Sequence, residues 1–336
     1  TGAAEEGRAG DITLKAGPSN DDDGPNVAIS AGDSRGIGAT GGSVLLRAGD
    51  GLDEANVYGN TAGGDGGAIV LQGGRSAAQH VGNSGGPIKL IGGNAAQGSG
   101  GDVQIRSGAS MDFVSGDVSV ATANGGLTGS SGHIVIASGS SLDRSTGTIK
   151  LLSGHSETGR SGDIALDAGF GGDQGGNVIV NAGATLHDAQ AGKVDIRSGV
   201  AFDNGASGDV NVQSADGGRL SASGSVVVGS GTSAEATSGA VRIVSGDALE
   251  AAGDIELKAG ATRGPEGANV VIDGGHSHFV GLDPSVGGDV LVTSGGSFRG
   301  TTGNVVVESS SATMAASTGR IQLATGTAEQ GNTGNV

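Results

Sequence analysis

The chain has 336 residues, of which 72 are Gly and five are Pro, with no Cys, no Trp and a formal net charge of −17. This Gly content, about three times the usual share, argues with the 2% of aromatic residues against a long-helix protein or an enzyme domain with a thick core. The acidity opposes binding to nucleic acid or anionic lipid, the lack of Cys excludes disulfides and thiolate metal sites, and no apolar run is long enough for membrane insertion.

One short pattern recurs from end to end: Gly, any residue, Ile or Val, any residue, an aliphatic residue, any residue, then a small residue and usually Gly. It reads Gly10–Gly17 near the start, Gly162–Gly169 in the middle and Gly288–Gly295 late in the chain. With the first Ile or Val of each copy as its anchor, there are about twenty copies, mostly 14 to 16 residues apart. The anchors are Ile12, Val27, Val44, Ile69, Ile88, Val103, Val118, Ile134, Ile149, Ile164, Val178, Val194, Val210, Val226, Val241, Ile255, Val270, Val290, Val305, Ile321 and Val336.

Each copy is predicted to contain one five-residue β-strand. The residue two places after the anchor is always aliphatic, and a short alternation rich in β-branched residues and bounded by Gly is typical of a strand. The places four and seven after the anchor hold only Gly, Ala, Ser or Thr, which predicts a tight corner with closely approaching backbones.

Because a copy this short cannot bury its own aliphatic pair, the copies are expected to stack. The predicted fold is all-β, a parallel β-solenoid (β-helix) with two or three strands per coil; a one-sided meander remains open. A longer period of six copies is indicated by Met111, Phe202 and Phe298, which lie eight residues after anchors six copies apart. Residues 1–336 are expected to form a single continuous array without capping repeats, a segment of a longer chain.

The densest acidic loops are the candidate calcium sites. Oxygen-rich flexible loops suit Ca²⁺, and the alternative is a solvated loop that keeps the chain soluble. The pair His276 and His278 is interpreted as part of a surface loop rather than a metal site. The calcium candidates are Asp21, Asp22, Asp23, Asp50 and Asp53; no other cofactor is expected.

The segments Gly10–Gly17, Gly116–Ala123 and Ser131–Gly139 carry a resemblance to known proteins. They resemble the secreted Gly/Ser/Thr-rich tandem-repeat proteins of diatoms and related algae. They are similar, more weakly, to the β-helix repeats of filamentous-haemagglutinin-type bacterial adhesins. Either resemblance implies an extracellular β-solenoid with a mechanical or adhesive role and supplies no catalytic residues.

The sequence therefore predicts an extracellular or cell-surface structural protein and no enzyme. It would form a fibre or surface appendage by β-strand stacking and by end-to-end or lateral association. The expected partners are other copies of the chain, with surface glycans as a further candidate. A β-helix adhesin and an ice-binding solenoid are the alternatives.

Overall fold

The computed structural model describes residues 8–20, 23–51, 64–77, 82–186, 189–278, 285–313, 316–329 and 332–336. Within these ranges the chain forms no helix and no strand; turns and bends are its only regular features. The predicted all-β solenoid is therefore wrong. The five-residue segments keep their alternation, but no ladder of backbone hydrogen bonds joins one described segment to another.

The reason lies in what alternation specifies. It determines which side chains share a face, whereas a strand also needs a neighbouring backbone to bond with. Ordering this backbone is costly, since Gly loses more conformational freedom than any other residue and the chain contains 72 of them. Two aliphatic side chains in each copy are few to offset that entropy.

The described part of the chain has no core. None of its residues is buried, and the accessible surface of the chain is 34183 Å². A folded monomer of this mass exposes about 12,000 Å². The aliphatic side chains are therefore in water rather than packed against one another.

The described order comes from short-range contacts between the two ends of individual loops. In ten loops the amide of the Gly two places before an anchor donates a hydrogen bond to the carbonyl of the Gly five places after the preceding anchor, at 2.8–3.1 Å. We call each such closure a neck. The ten donor and acceptor pairs are Gly42 and Gly32, Gly67 and Gly49, Gly86 and Gly74, Gly101 and Gly93, Gly116 and Gly108, Gly176 and Gly169, Gly192 and Gly183, Gly208 and Gly199, Gly288 and Gly275, and Gly303 and Gly295.

The necks make the loop length irrelevant to the chain between them. Gly169 and Gly176 enclose six residues, Gly49 and Gly67 enclose seventeen, and both pairs form the same hydrogen bond. Between consecutive necks the segment runs from two places before the anchor to five places after it. This part of the chain is thus a series of eight-residue segments separated by closed loops of variable length.

Small residues are required where the neck closes. A Cβ placed on Gly176 would lie 3.2 Å from the Cβ of Ala168, four places after the preceding anchor. On Gly92, at the same position in another copy, an added Cβ would collide with the carbonyl of Gly101. The half-buried residues of the described part all lie four or seven places after an anchor: Ala16, Ala48, Gly73, Gly92, Ser107, Ser156, Gly171, Ala201, Ser214, Ala259 and Gly274.

The position seven places after the anchor starts a turn in several loops. The hydroxyl of Ser110 accepts a hydrogen bond from the amide of Phe113 at 3.0 Å, and Ser233 accepts one from Ala236 at 3.1 Å. Such side-chain bonds stabilise turns locally without a second segment. The same bond at the same position is made by Ser141, Ser156 and Ser297.

Two loops that lack Gly five places after their anchors close in another way. In one, the amide of Gly129 donates to the carbonyl of Gly126 at 3.3 Å; in the other, Ser221 donates to Gly218 at 3.1 Å. These turns are equivalent and lie six copies apart. The longer period therefore reappears as a repeated turn.

The chain divides into two units, Thr1–Leu166 and Asp167–Val336. The boundary falls inside the eight-residue segment that contains Ile164. Each unit has its own series of necks and its own turn of the kind just described.

The dilute, unassociated chain is expected to show no strand signal. Far-UV circular dichroism and amide I infrared spectra should have the profile of irregular backbone, because the described segments have no ladder partners. A strand-type spectrum that does not change on further dilution would contradict the structure.

Substitution at a neck is expected to open it selectively. Gly176→Val puts a side chain against Ala168 and Gly169, whereas Gly175→Val, one residue earlier, meets nothing within 4 Å. Since one hydrogen bond contributes about 0.5–1.5 kcal/mol, amide exchange at residue 176 should accelerate about two- to tenfold in the first variant only. Hydrogen exchange followed by NMR measures this; equal acceleration in both variants would show that the neck contributes nothing.

Candidate functional site

The feature that distinguishes this chain is a repeated aliphatic surface. We call the anchors, together with the aliphatic residues two places after them, the aliphatic face. Anchors Val27 to Ile321 are 51–59% exposed, and the second row, from Leu14 to Leu323, is 59–79% exposed. Apolar side chains exposed in such numbers usually mark an interaction site.

The anchor row is less exposed than the side chains that follow it. In the run Val226, Val227 and Val228, three identical side chains are 51%, 89% and 76% exposed. In another repeat the anchor faces the preceding corner: Val290 Cγ2 is 3.7 Å from the position that a Cβ on Gly274 would take. In the run Val305, Val306 and Val307 the exposed fractions are 54%, 71% and 72%, so the anchor is the least exposed residue in both runs.

The ion pairs lie off this face and within single copies. The Nη2 atom of Arg160 contacts Oδ1 of Asp163 at 2.8 Å, and both side chains are mostly exposed. Exposed pairs of this kind contribute about 0–1 kcal/mol each. The other pairs are Arg8 with Asp11, Arg47 with Asp50, and Asp195 with Lys193 and Arg197. Charge surrounds the aliphatic face and is absent from its two rows.

The predicted calcium ligands are not brought together in the described residues. Asp21, Asp22 and Asp53 lie outside those residues. Asp50 forms an ion pair with Arg47 at 2.6 Å, so a cation would have to displace a guanidinium. The described residues include Asp23 but no group of three or more His, Cys, Asp or Glu side chains that could hold a metal ion.

The histidine pair lies in the loop after Val270. The ring centroids of His276 and His278 are 6.4 Å apart and the ring planes are inclined by 39°. A structural zinc site needs four ligands in a tetrahedral arrangement. The described part of the chain supplies no third ligand to this pair.

Comparisons with protein-family models, with curated proteins and with solved structures find no match to this chain. The resemblance to algal tandem-repeat proteins and to bacterial adhesins therefore stays a prediction. In the described residues, no helix has the length and apolar character needed to cross a membrane.

The sequence contained the signal for the necks, but the bond itself was not predicted. Gly occurs two places before the anchor and five places after it in most copies, and these are the donor and the acceptor. Pro25 occupies the donor position of the first complete loop. Because Pro has no backbone N–H, that loop cannot form the bond.

Proposed function

We propose that the chain is an extracellular structural protein that works by associating with other copies of itself. The association is end to end or lateral, and its product is a fibre or a surface appendage. The observation that supports this proposal is the aliphatic face, forty side chains that are each at least half exposed. No catalytic role is assigned to any residue.

Burial of this face provides the driving force. Burying one aliphatic side chain completely contributes about 1.5–3 kcal/mol, and the rows here are at least half exposed. In a monomer these side chains stay exposed to water, whereas in an assembly each repeat would bury part of its aliphatic surface. An assembly also orders many segments together, which spreads the entropic cost of fixing each one.

Charge acts against association and gives it a salt dependence. With a net charge of −17, two copies repel each other at low ionic strength. At about 0.15 M salt the screening length is about 8 Å, so exposed loop charges no longer oppose contact between neutral rows. Assembly is therefore expected to strengthen as salt is raised.

Sedimentation velocity across a range of protein concentrations, with electron microscopy of the same samples, tests the proposal. Species larger than the monomer should grow with concentration and with salt, and should appear as elongated particles. A chain that stays monomeric at every concentration and salt level would overturn the proposal. Thermal hysteresis by that monomer would favour ice binding instead.

Matched triple variants are expected to separate the aliphatic face from its surroundings. Val226, Val270 and Val305 are anchors, and each is followed directly by another Val at the more exposed middle position. Changing the three anchors to Thr leaves the shape nearly constant but buries three hydroxyls on assembly, at a cost of about 1 kcal/mol or more each. The concentration needed for assembly should rise about 100-fold.

The control changes Val227, Val271 and Val306 to Thr. It alters the same number of methyl groups in the same three copies, and the assembly concentration should change by less than about twofold. Sedimentation velocity of both triple variants beside the unmodified chain provides the comparison. Equal effects from the two sets would mean that apolar content, rather than the aliphatic face, drives association.

A further inference from the structure

We infer that the aliphatic face of one molecule docks against the aliphatic face of a second molecule of the same chain, with the closed loops directed away from the contact. This inference rests on the proposed function and names the surface that carries it. The alternative contact surfaces are the loops and the middle residues of the segments.

The aliphatic face has enough apolar area for a stable interface. Each unit presents about twenty aliphatic side chains that are roughly 60% exposed. At about 25 cal/mol per Å², a side chain worth about 1.5–3 kcal/mol corresponds to about 60–120 Å². Each unit by itself therefore offers about 700–1,400 Å² of apolar surface, and a standard stable interface needs about 800 Å² from each partner.

The recurrence of the eight-residue segments favours a second molecule of the same chain as the partner. By sequence, the segment of each repeat has eight residues, from two places before the anchor to five places after it, and necks close ten of the intervening loops, which enclose from six to seventeen residues. A partner must present apolar side chains with the same recurrence to bury the whole face. A second copy of this chain has that recurrence by construction of its own sequence.

The two rows of the aliphatic face are uncharged. The two rows contain only Val, Ile and Leu, while the ion-paired and acidic residues lie beside them or in loops. Two such neutral rows meet without bringing like charges into a desolvated contact. An anionic lipid surface would instead face the whole charge of −17.

Cysteine scanning tests the docking, and the chain is suited to it because it has no native Cys. Three single variants are compared. Val226→Cys places the thiol in the anchor row, Val228→Cys places it in the second row, and Val227→Cys places it between the two rows. Each full-length variant is brought to the assembling concentration and treated with diamide, which accepts the two electrons and two protons released when a disulfide forms. Non-reducing electrophoresis then measures the linked dimer.

Linked dimer should form at least about tenfold faster at positions 226 and 228 than at position 227. If the chains assemble in sedimentation but position 227 links as fast as its neighbours, or none of the three positions links, the inference is wrong while the proposed function stands. If the chains neither assemble nor link, the proposed function fails as well. A monomer that floats with phosphatidylcholine vesicles and gives no linked dimer would replace the second copy by a lipid surface and overturn the inference.

Discussion

The structure depends on one repeated interaction, the hydrogen bond from a Gly amide to a Gly carbonyl across the neck of a loop. An exposed hydrogen bond is individually weak, at about 0.5–1.5 kcal/mol, but here it closes the same short path in ten copies. The close approach at the neck explains why only small residues occur four places after each anchor. A side chain as large as Val at Gly176 would meet Ala168 before the bond could form. The composition is thus a consequence of the neck.

The neck also separates two kinds of variation that are usually coupled. Insertions normally shift the register of everything that follows, but here the loop between Gly49 and Gly67 is almost three times as long as that between Gly169 and Gly176 and closes identically. Loop sequence and loop length are therefore free to vary while the aliphatic face keeps its recurrence. Solubility and charge can be assigned to the loops, and association to the segments.

The sequence was sufficient to predict where backbones approach closely, but not the state of the backbone. The small residues four places after the anchors indicated the close approach of Ala168 and Gly176, because a position beside another part of the backbone accepts no larger side chain, which is a local signal. Strand formation was not local: it required ladder partners, and the described segments have none. The ion pair between Arg47 and Asp50 was likewise not predicted from the sequence, and the calcium sites stay a prediction.

Equal segments have a further consequence for assembly. Because every segment has the same length, a second molecule could dock in full register or displaced by a whole number of repeats. In both cases anchors would lie opposite anchors. A displaced pair of molecules would leave part of each aliphatic face uncovered at its ends, and a third molecule could bind there. Growth then continues without a closed symmetry, which is the condition for a filament rather than a dimer. The long loops and the turns that recur every six copies are the features that distinguish one displacement from another, so they would determine the stagger.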